Sequence, residues 1–243
     1  MSGHSKWANI KHKKGKMDAA RGKITTKIGR EITIAVRMGG SDPTGNMRLK
    51  LVLAKAKANN IPKDNIQRAI QKGLGGTDGA NYEELTYEGY GPNGVAVMVN
   101  VMTDNRNRAA AEIRHLFSKY GGNLGETGCV DWMFQKKGLF VIESDTLTED
   151  DVMEIALEAD AEGFEATDNG FEITTTPEGF DAVDQILSER GIQPTVSEIS
   201  MIPDTMMEVD DSIADKVMKL IDALEDNDDV QDVYTNADFP EEA

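Results

Sequence analysis

The sequence predicts an α+β protein of three domains, in which a basic helical bundle precedes two α+β domains and one of these is inserted in the other. Apolar residues recur at helical spacing as far as about residue 73, and strand-like alternation appears only after that point. A glycine-rich segment, LGGTDGAN (Leu74–Asn81), separates the two parts. Residues 1–80 contain seventeen Lys or Arg and five Asp or Glu, a formal charge of +12, whereas residues 81–243 contain nine and thirty-eight, a charge of −29.

The basic part begins with residues 1–16, which show no apolar periodicity and predict an extended arm. A helix is predicted from Met17 to the paired glycines Gly39 and Gly40, because glycine commonly ends helices. Its apolar face comprises Ile24, Ile28, Ile32 and Ala35. Its opposite face comprises four cations, Lys23, Lys27, Arg30 and Arg37. We therefore expect one side to pack and the other to form a continuous, exposed cationic stripe.

Two shorter helices complete the predicted bundle. One spans Asn46–Asn59, and its predicted inward residues are Leu49, Val52, Leu53 and Ala56. The other starts near Pro62, which suits the first turn of a helix, and ends at Gly73.

Beyond the linker the sequence predicts strands as well as helices. Tyr82–Tyr90 and Gly94–Thr103 predict a β-hairpin, followed by a helix at Arg106–Tyr120 and a strand at Val130–Phe134. The letters GYGPNG (Gly89–Gly94) match a dinucleotide-binding pattern, but a strand rather than a helix follows them, so the hairpin turn is favoured.

Residues 139–202 predict the order βαββαβ, which is the ferredoxin-like arrangement. A last helix, Ser212–Glu225, and a last strand, Val230–Asn236, have no sheet of their own, so we expect them to complete the domain that begins at the hairpin. The predicted domains are residues 1–80, residues 81–134 together with 206–243, and the inserted residues 135–205.

Several classes of function are excluded by the sequence. A single cysteine, Cys129, excludes an intrachain disulfide and a multi-cysteine metal site, and the three histidines fit no zinc motif. We find no catalytic constellation, so we expect no enzyme, no cofactor, no metal and no small-molecule substrate. Neither a secretory signal nor a membrane span is recognisable, so we expect a cytoplasmic protein with no membrane partner. The acidic runs Thr148–Asp151 and Glu225–Asp229 are expected to be solvated helix ends.

The basic arm and the cationic stripe predict a polyanion partner, since lysines neutralise phosphates and release counterions. Trp7 lies among the lysines and has two open interpretations, a ring that stacks on a base or an anchor that docks the arm on the bundle. The alternative that the charges form only a solvated face stays open. The predicted nucleic-acid contacts are Lys6, Trp7, Lys11, Lys13, Lys14, Lys16, Lys23, Lys27, Arg30, Lys63 and Arg68.

Two arginines, Arg106 and Arg108, follow a strand and occupy the start of a predicted helix, where the helix dipole does not favour cations. Their presence predicts either contact with an anionic partner or an internal ion pair with the acidic body, and the two alternatives are equally favoured.

A series of motifs resembles the YebC/PmpR family along nearly the whole chain: GHSKWANIKHKK, PKDNIQRAI, YEGYGPNGVAV, TDNRNR, SKYGGNLGETG, VDWMF and NADFPEE. The mitochondrial translational activator of cytochrome c oxidase is similar to the same family. The resemblance implies three domains, a cytoplasmic DNA-binding transcriptional regulator and no enzymatic activity. Other proteins of this fold act in translation, easing ribosomes through stretches such as consecutive prolines. Thr25, Met47 and Cys129 depart from the usual pattern, but none of them removes a basic residue.

Two functions follow as alternatives. The resemblance favours a DNA-binding transcriptional regulator. The charge of −29 on residues 81–243 favours a ribosome-associated translation factor, because an acidic body repels duplex DNA but suits basic ribosomal proteins while the arm binds ribosomal RNA.

Overall fold

The computed structural model describes residues 21–75, 81–144, 146–167 and 170–240. The predicted helix start at Met17 and the predicted arm contacts lie outside the described residues, and so do residues 76–80 of the linker. The described chain forms two compact units. One comprises Trp132–Met206, and the other comprises the described residues before and after that segment.

Three helices form the N-terminal bundle: α1 (Arg21–Gly39), α2 (Met47–Ala58) and α3 (Lys63–Gly73). Their apolar faces meet in one buried cluster: Ile28, Ile32, Ala35, Val36, Leu49, Val52, Ala56 and Ala69. The predicted inward stripes of α1 and α2 are confirmed, with Ile24 and Leu53 partly buried against this cluster. Asn46 joins two of the helices. Its side chain accepts the Leu49 N–H at the start of α2 and donates to the carbonyls of Ala35 and Gly40 at the end of α1.

The rest of the described chain alternates strands and helices in this order: β1 (Glu83–Tyr90), β2 (Ala96–Thr103), α4 (Arg106–Lys119), β3 (Asn123–Leu124), β4 (Phe134–Glu143), α5 (Glu149–Glu158), β5 (Gly163–Thr167), β6 (Gly170–Thr175), α6 (Phe180–Glu189), β7 (Val196–Pro203), β8 (Met207–Glu208), α7 (Asp211–Asp226), β9 (Val230–Thr235) and β10 (Ala237–Asp238). The GYGPNG segment is the hairpin turn that the sequence favours, because β1 and β2 pair antiparallel on either side of it.

The first sheet has the strand order β3-β1-β2-β9, and all its pairs are antiparallel. Helices α4 and α7 bury their apolar faces against it in one cluster that includes Val97, Val99, Phe117 and Leu220. The last helix and strand thus complete the sheet that the hairpin begins, as expected. We call this sheet with α4 and α7 the discontinuous domain.

The inserted segment forms a second sheet of order β5-β6-β4-β7. Its element order βαββαβ and its antiparallel pairs are those of the ferredoxin-like arrangement. Phe140 of β4 stacks on Phe180 of α6 with 4.5 Å between the ring centroids, which joins this sheet to its helices. The predicted α+β class with an inserted domain is therefore confirmed, whereas the residue boundaries of the three domains stay predictions.

The predicted strand Val130–Phe134 is wrong. Residues Asp131–Met133 form a 3-10 turn, Phe134 opens β4, and the short strand β3 pairs with β1. The reason is the buried carboxylate of Glu88, which accepts the N–H groups of Gly128, Val130 and Asp131. Backbone donors that bind a side chain are no longer available to a strand neighbour.

Gly73 allows α3 to approach α1 closely, and its replacement by alanine tests this packing. A Cβ at residue 73 would lie 2.6 Å from the Cβ of Val36 and 2.8 Å from the Thr33 carbonyl oxygen. We expect Gly73→Ala to lower the free energy of unfolding by about 1–3 kcal/mol through overpacking, measured by urea denaturation. Gly45→Ala is the matched control, because nothing lies within 4 Å of a Cβ there. Equal stability of the two variants would contradict the close approach.

Candidate nucleic-acid interface

The cationic side of α1 lies against the C-terminal end of α7. Lys23 Nζ is 2.6 Å from Asp226 Oδ1 and 3.0 Å from the Asp226 carbonyl oxygen. Lys27 Nζ donates to the carbonyl oxygen of Glu225. Carbonyls at a helix C-terminus lack partners within the helix and attract cations, so this end of α7 offers main-chain as well as side-chain acceptors. We call Lys23, Lys27 and Arg30 the cationic face of α1, and Glu225–Asp229 the acidic end of α7.

Asp229 is the centre of this contact. Its side chain is only 5% exposed. One carboxylate oxygen is 2.7 Å from Arg30 Nη1 of the bundle, and the other is 2.8 Å from Arg108 Nη2 of α4 and 2.9 Å from Thr103 Oγ1 of β2. The Asp229 carbonyl also accepts the Met102 N–H at 2.8 Å. One residue therefore joins α1, the end of β2 and the start of α4.

Arg30 makes its hydrogen bonds to the described residues through a single nitrogen. Its Nη1 donates to the carbonyls of Met102 and Asp228, at 3.1 and 2.9 Å, as well as to Asp229. The guanidinium carbon lies 5.1 Å from the ring centroid of Tyr82, a cation–π contact. Among the described residues, the buried Nε of Arg30 has no hydrogen-bond partner. Three acceptors therefore share the two hydrogens of Nη1 while one buried donor is left unsatisfied.

The charges respond to this environment. Burial by itself raises the pKa of Asp229, but the hydrogen bonds from Arg108, Arg30 and Thr103 outweigh it and hold the pKa below the ordinary value of 3.8. Burial lowers the pKa of Lys27 by more than the charge of nearby Glu225 raises it. The hydrogen bond to Asp226 raises the pKa of Lys23. Asp229 is thus held in its charged form, whereas the contact costs Lys27 part of its solvation.

Two sequence expectations are corrected here. The predicted stripe is only partly open, because Lys23, Lys27 and Arg30 contact the acidic end of α7, while Arg37 and 42% of the Lys23 side chain are exposed. The run Glu225–Asp229 is not merely a solvated helix end, because Asp229 is buried. Whether these cations also bind nucleic acid stays a prediction. Asp229 and its acceptor role were not found from the sequence, although its place directly before a strand was a signal that it lies near the sheet.

The two arginines at the start of α4 differ. Arg108 forms ion pairs with Asp104 at 2.9 Å and with Asp229 at 2.8 Å, and both hydrogen bonds raise its pKa. Of the two alternatives for Arg108, its contacts are those of an internal ion pair. Asn105 caps the helix by accepting the Arg108 N–H. Arg106 is exposed, so the alternative of an anionic partner stays open for it.

The remaining candidate cations lie on α2 and α3. Lys63 and Arg68 are exposed, and Arg68 bonds only to Asp64 and Asn65 of its own helix among the contacts described for it. α2 contains four basic residues and no acidic one. Further exposed cations of the bundle are Arg37, Lys50, Lys57 and Lys72.

A polar cleft of about 270 Å³ lies between the bundle and the first sheet. Its lining includes Glu31 and Arg48 from the bundle and Glu84, Asn100 and Asp232 from the sheet. The guanidinium of Arg48 forms two hydrogen bonds with the Glu84 carboxylate, which raise the pKa of Arg48. This is a second ionic contact between the bundle and the discontinuous domain.

No three His, Cys, Asp or Glu side chains within the described ranges are grouped so as to hold a metal ion. In the same part of the chain, no helix is both long and apolar enough to span a membrane.

Comparison with known proteins identifies the family of this chain. Residues 5–76 match the model of the TACO1/YebC protein N-terminal domain, and residues 82–237 match that of the TACO1/YebC second and third domain. The chain belongs to the TACO1/YebC family. The YebC/PmpR resemblance of its motifs is thereby confirmed.

Relatives and a solved structure agree with the TACO1/YebC assignment over the full length. A "probable transcriptional regulatory protein" of Clostridium tetani is 59% identical and covers 100% of this chain and 99% of its own length. A protein of the same description from Desulforamulus reducens is 56% identical, and the match covers 97% of this chain and 98% of that protein. The crystal structure of a conserved hypothetical protein from Aquifex aeolicus is 45% identical, covers 98% of each chain and has a TM-score of 0.85. The three-domain fold is therefore shared with a solved structure, and the relatives carry the description of regulators.

Removal of the Asp229 charge tests the centre of the interface. We expect Asp229→Asn to lower the free energy of unfolding by about 2–4 kcal/mol, because Arg30 loses the carboxylate that compensates its buried charge. The measurement is urea denaturation at neutral pH. Asp228→Asn is the matched control, since it removes the same charge one residue away while Arg30 contacts only the Asp228 carbonyl. A loss of stability as small as that of the control would contradict the central role of Asp229.

The lowered pKa of Asp229 predicts that the stability difference between the wild type and Asp229→Asn depends on pH. Because the folded pKa of Asp229 is lowered, its charge contributes stability that is fully present above the unfolded pKa of about 3.9 and is lost as the pH falls through the lower folded value. The difference in unfolding free energy between the wild type and Asp229→Asn should therefore be constant near neutral pH and shrink below about pH 4. A difference that stays constant down to about pH 2 would show that Asp229 acts through shape rather than charge.

Proposed function

We propose that this protein is a non-enzymatic, cytoplasmic regulator of gene expression that binds nucleic acid, and specifically a DNA-binding transcriptional regulator without cofactor or metal. The observation that carries the proposal is the separation of charge, with +12 on residues 1–80 and −29 on the remainder. The descriptions of the relatives as probable transcriptional regulatory proteins support it. A basic domain on an acidic protein attracts a polyanion to one end and repels it from the other.

The binding surface consists of the N-terminal arm and the exposed cations of the bundle. Lys63 and Arg68 are exposed on α3, and α2 contains four basic residues and no acidic one. The arm adds Lys6, Lys11, Lys13, Lys14 and Lys16, and Trp7 as a stacking ring or an anchor. Cations spread over an arm and several helix faces contact phosphates rather than base edges, so binding is salt-sensitive and reads little sequence.

The second candidate is a ribosome-associated translation factor, which the acidic remainder of the chain favours. Residues 81–243 carry thirty-eight Asp or Glu, a surface that repels duplex DNA but suits basic proteins on the ribosome. In that case the arm and the bundle bind ribosomal RNA.

Charge reversal on α3 tests the proposed surface. Lys63→Glu with Arg68→Glu should weaken binding to a random duplex DNA about tenfold or more and reduce the slope of log K against log salt by about two, because two phosphate contacts are lost. Fluorescence anisotropy over a salt series measures both. The control is Lys216→Glu, which reverses an exposed lysine on α7. An unchanged slope would mean that Lys63 and Arg68 face solvent and do not contact phosphates.

Cosedimentation separates the two candidate functions. Ribosomes are sedimented from cells at low and high salt, with the full chain and with a chain that lacks residues 1–16. Loss of cosedimentation in the shortened chain, together with weak duplex binding, supports the translation factor. Binding to duplex DNA without ribosome association supports the transcriptional regulator. Tight, sequence-selective duplex binding that persists at about 200 mM salt would contradict the phosphate-dominated mode.

A further inference from the structure

The bundle and the discontinuous domain have separate apolar cores. The buried cluster of the bundle contains only residues of α1, α2 and α3, and the cluster of the discontinuous domain contains none of them. The contacts described between the two are the ion pairs Lys23–Asp226, Arg30–Asp229 and Arg48–Glu84, hydrogen bonds from Lys27 and Arg30 to backbone carbonyls, and the cation–π contact of Arg30 with Tyr82. Ion pairs that connect parts with separate apolar cores are weakened by salt, so the two parts can separate.

The acceptors at the acidic end of α7 resemble those of a nucleic-acid backbone. Lys23 and Arg30 bind carboxylate oxygens, and Lys27 binds a carbonyl oxygen. Phosphate oxygens accept from the same donors. Because the acidic end of α7 and a phosphate backbone would occupy the same space beside these donors, the two compete for the cationic face of α1.

The docked state leaves these cations imperfectly satisfied. Arg30 donates through Nη1 alone and keeps a buried Nε that has no partner within the described chain. A phosphate accepts an arginine fork through two parallel bonds, which the docked arrangement does not provide. Lys27 lies in a partly buried position that lowers its pKa, so its charge is better solvated outside the contact. Both features favour an exchange of partners when a polyanion is present.

We infer that the acidic end of α7 is an internal competitor of nucleic acid: it covers the cationic face of α1 in the free protein and releases it when a phosphate backbone takes its place. The inference rests on the proposed nucleic-acid binding and adds its regulation. Binding then has two stages. The exposed cations of α2 and α3 and the arm make first contact, and the cationic face of α1 joins after the bundle leaves the discontinuous domain. The affinity is reduced by the cost of undocking.

Neutralisation of one acidic residue tests the competition. Asp226→Asn removes the carboxylate that pairs with Lys23, at a position whose side chain is 74% exposed, so the fold is expected to be unaffected. Its affinity for a labelled 20-base-pair random duplex DNA and for an RNA hairpin of equal phosphate number should rise about two- to fivefold, the range of one exposed ion pair. Both probes are used because the competitor is the phosphate backbone itself.

The control for the altered net charge is Asp215→Asn. It removes an equal charge from the same helix, where Asp215 pairs with Lys219 rather than with the bundle. Its affinity should change by less than that of Asp226→Asn. Equal gains in the two variants would overturn the competition, because general repulsion would then explain both.

A distance measurement follows undocking directly. Spin labels are placed in the full chain at Ala58→Cys of α2 and Lys216→Cys of α7, two exposed positions, in a Cys129→Ser background. We expect one narrow distance distribution in the free protein at low salt and a broader, longer one with either probe. In Asp226→Asn the longer distances should appear at a lower salt concentration than in Asp215→Asn.

The outcomes separate this inference from the proposed function. Probe binding with unmoved labels and no effect of Asp226→Asn overturns the competition and leaves nucleic-acid binding intact. If neither probe binds to any variant, the proposed function fails and the inference fails with it. Probe binding with longer label distances and a gain specific to Asp226→Asn supports both.

Discussion

A buried carboxylate with donors from three different elements is the constraint on which the larger unit depends. Asp229 accepts from Arg30 of α1, from Thr103 at the end of β2 and from Arg108 in the first turn of α4, while its own carbonyl continues the sheet through Met102. Burial alone would favour the protonated acid, so the carboxylate remains charged only while its donors stay in place. The position of the bundle, the end of the first sheet and the start of α4 are therefore coupled through one side chain.

The arrangement explains why a cation near a helix N-terminus is tolerated in α4. The dipole opposes a positive charge there, but Arg108 lies between Asp104 and Asp229, and these carboxylates outweigh the dipole. In α1 the same type of residue has another role. Arg30 joins two modules that have separate apolar cores, so its ion pair acts between those cores rather than within one of them. Ion pairs of this kind specify an orientation more than they add stability.

Periodicity predicted the helices and most strands because each buries one face, and Ile28, Ile32 and Leu49 show the pattern plainly. The βαββαβ order followed from the same signal. The strand at Val130–Phe134 failed because Glu88, some forty residues earlier, binds the backbone of that segment. The cationic stripe was correctly placed on α1 but wrongly expected to face solvent. Local spacing describes one element at a time, whereas the partner of Arg30 lies 199 residues away, across an inserted domain.

This long-range pairing alters how the charge distribution acts. Nine basic residues are too few to neutralise residues 81–243, and the structure places part of the bundle's positive charge against that excess. Salt weakens these internal ion pairs as well as contacts with phosphate. When a phosphate replaces an internal carboxylate, lower salt strengthens both the contact that is lost and the contact that is gained. The binding affinity from such an exchange therefore depends less on salt than the affinity from a phosphate that binds an exposed lysine. The dependence of binding on salt then reports mainly the cations that are exposed from the start, such as Lys63 and Arg68, and undercounts the phosphates that the fully bound protein contacts.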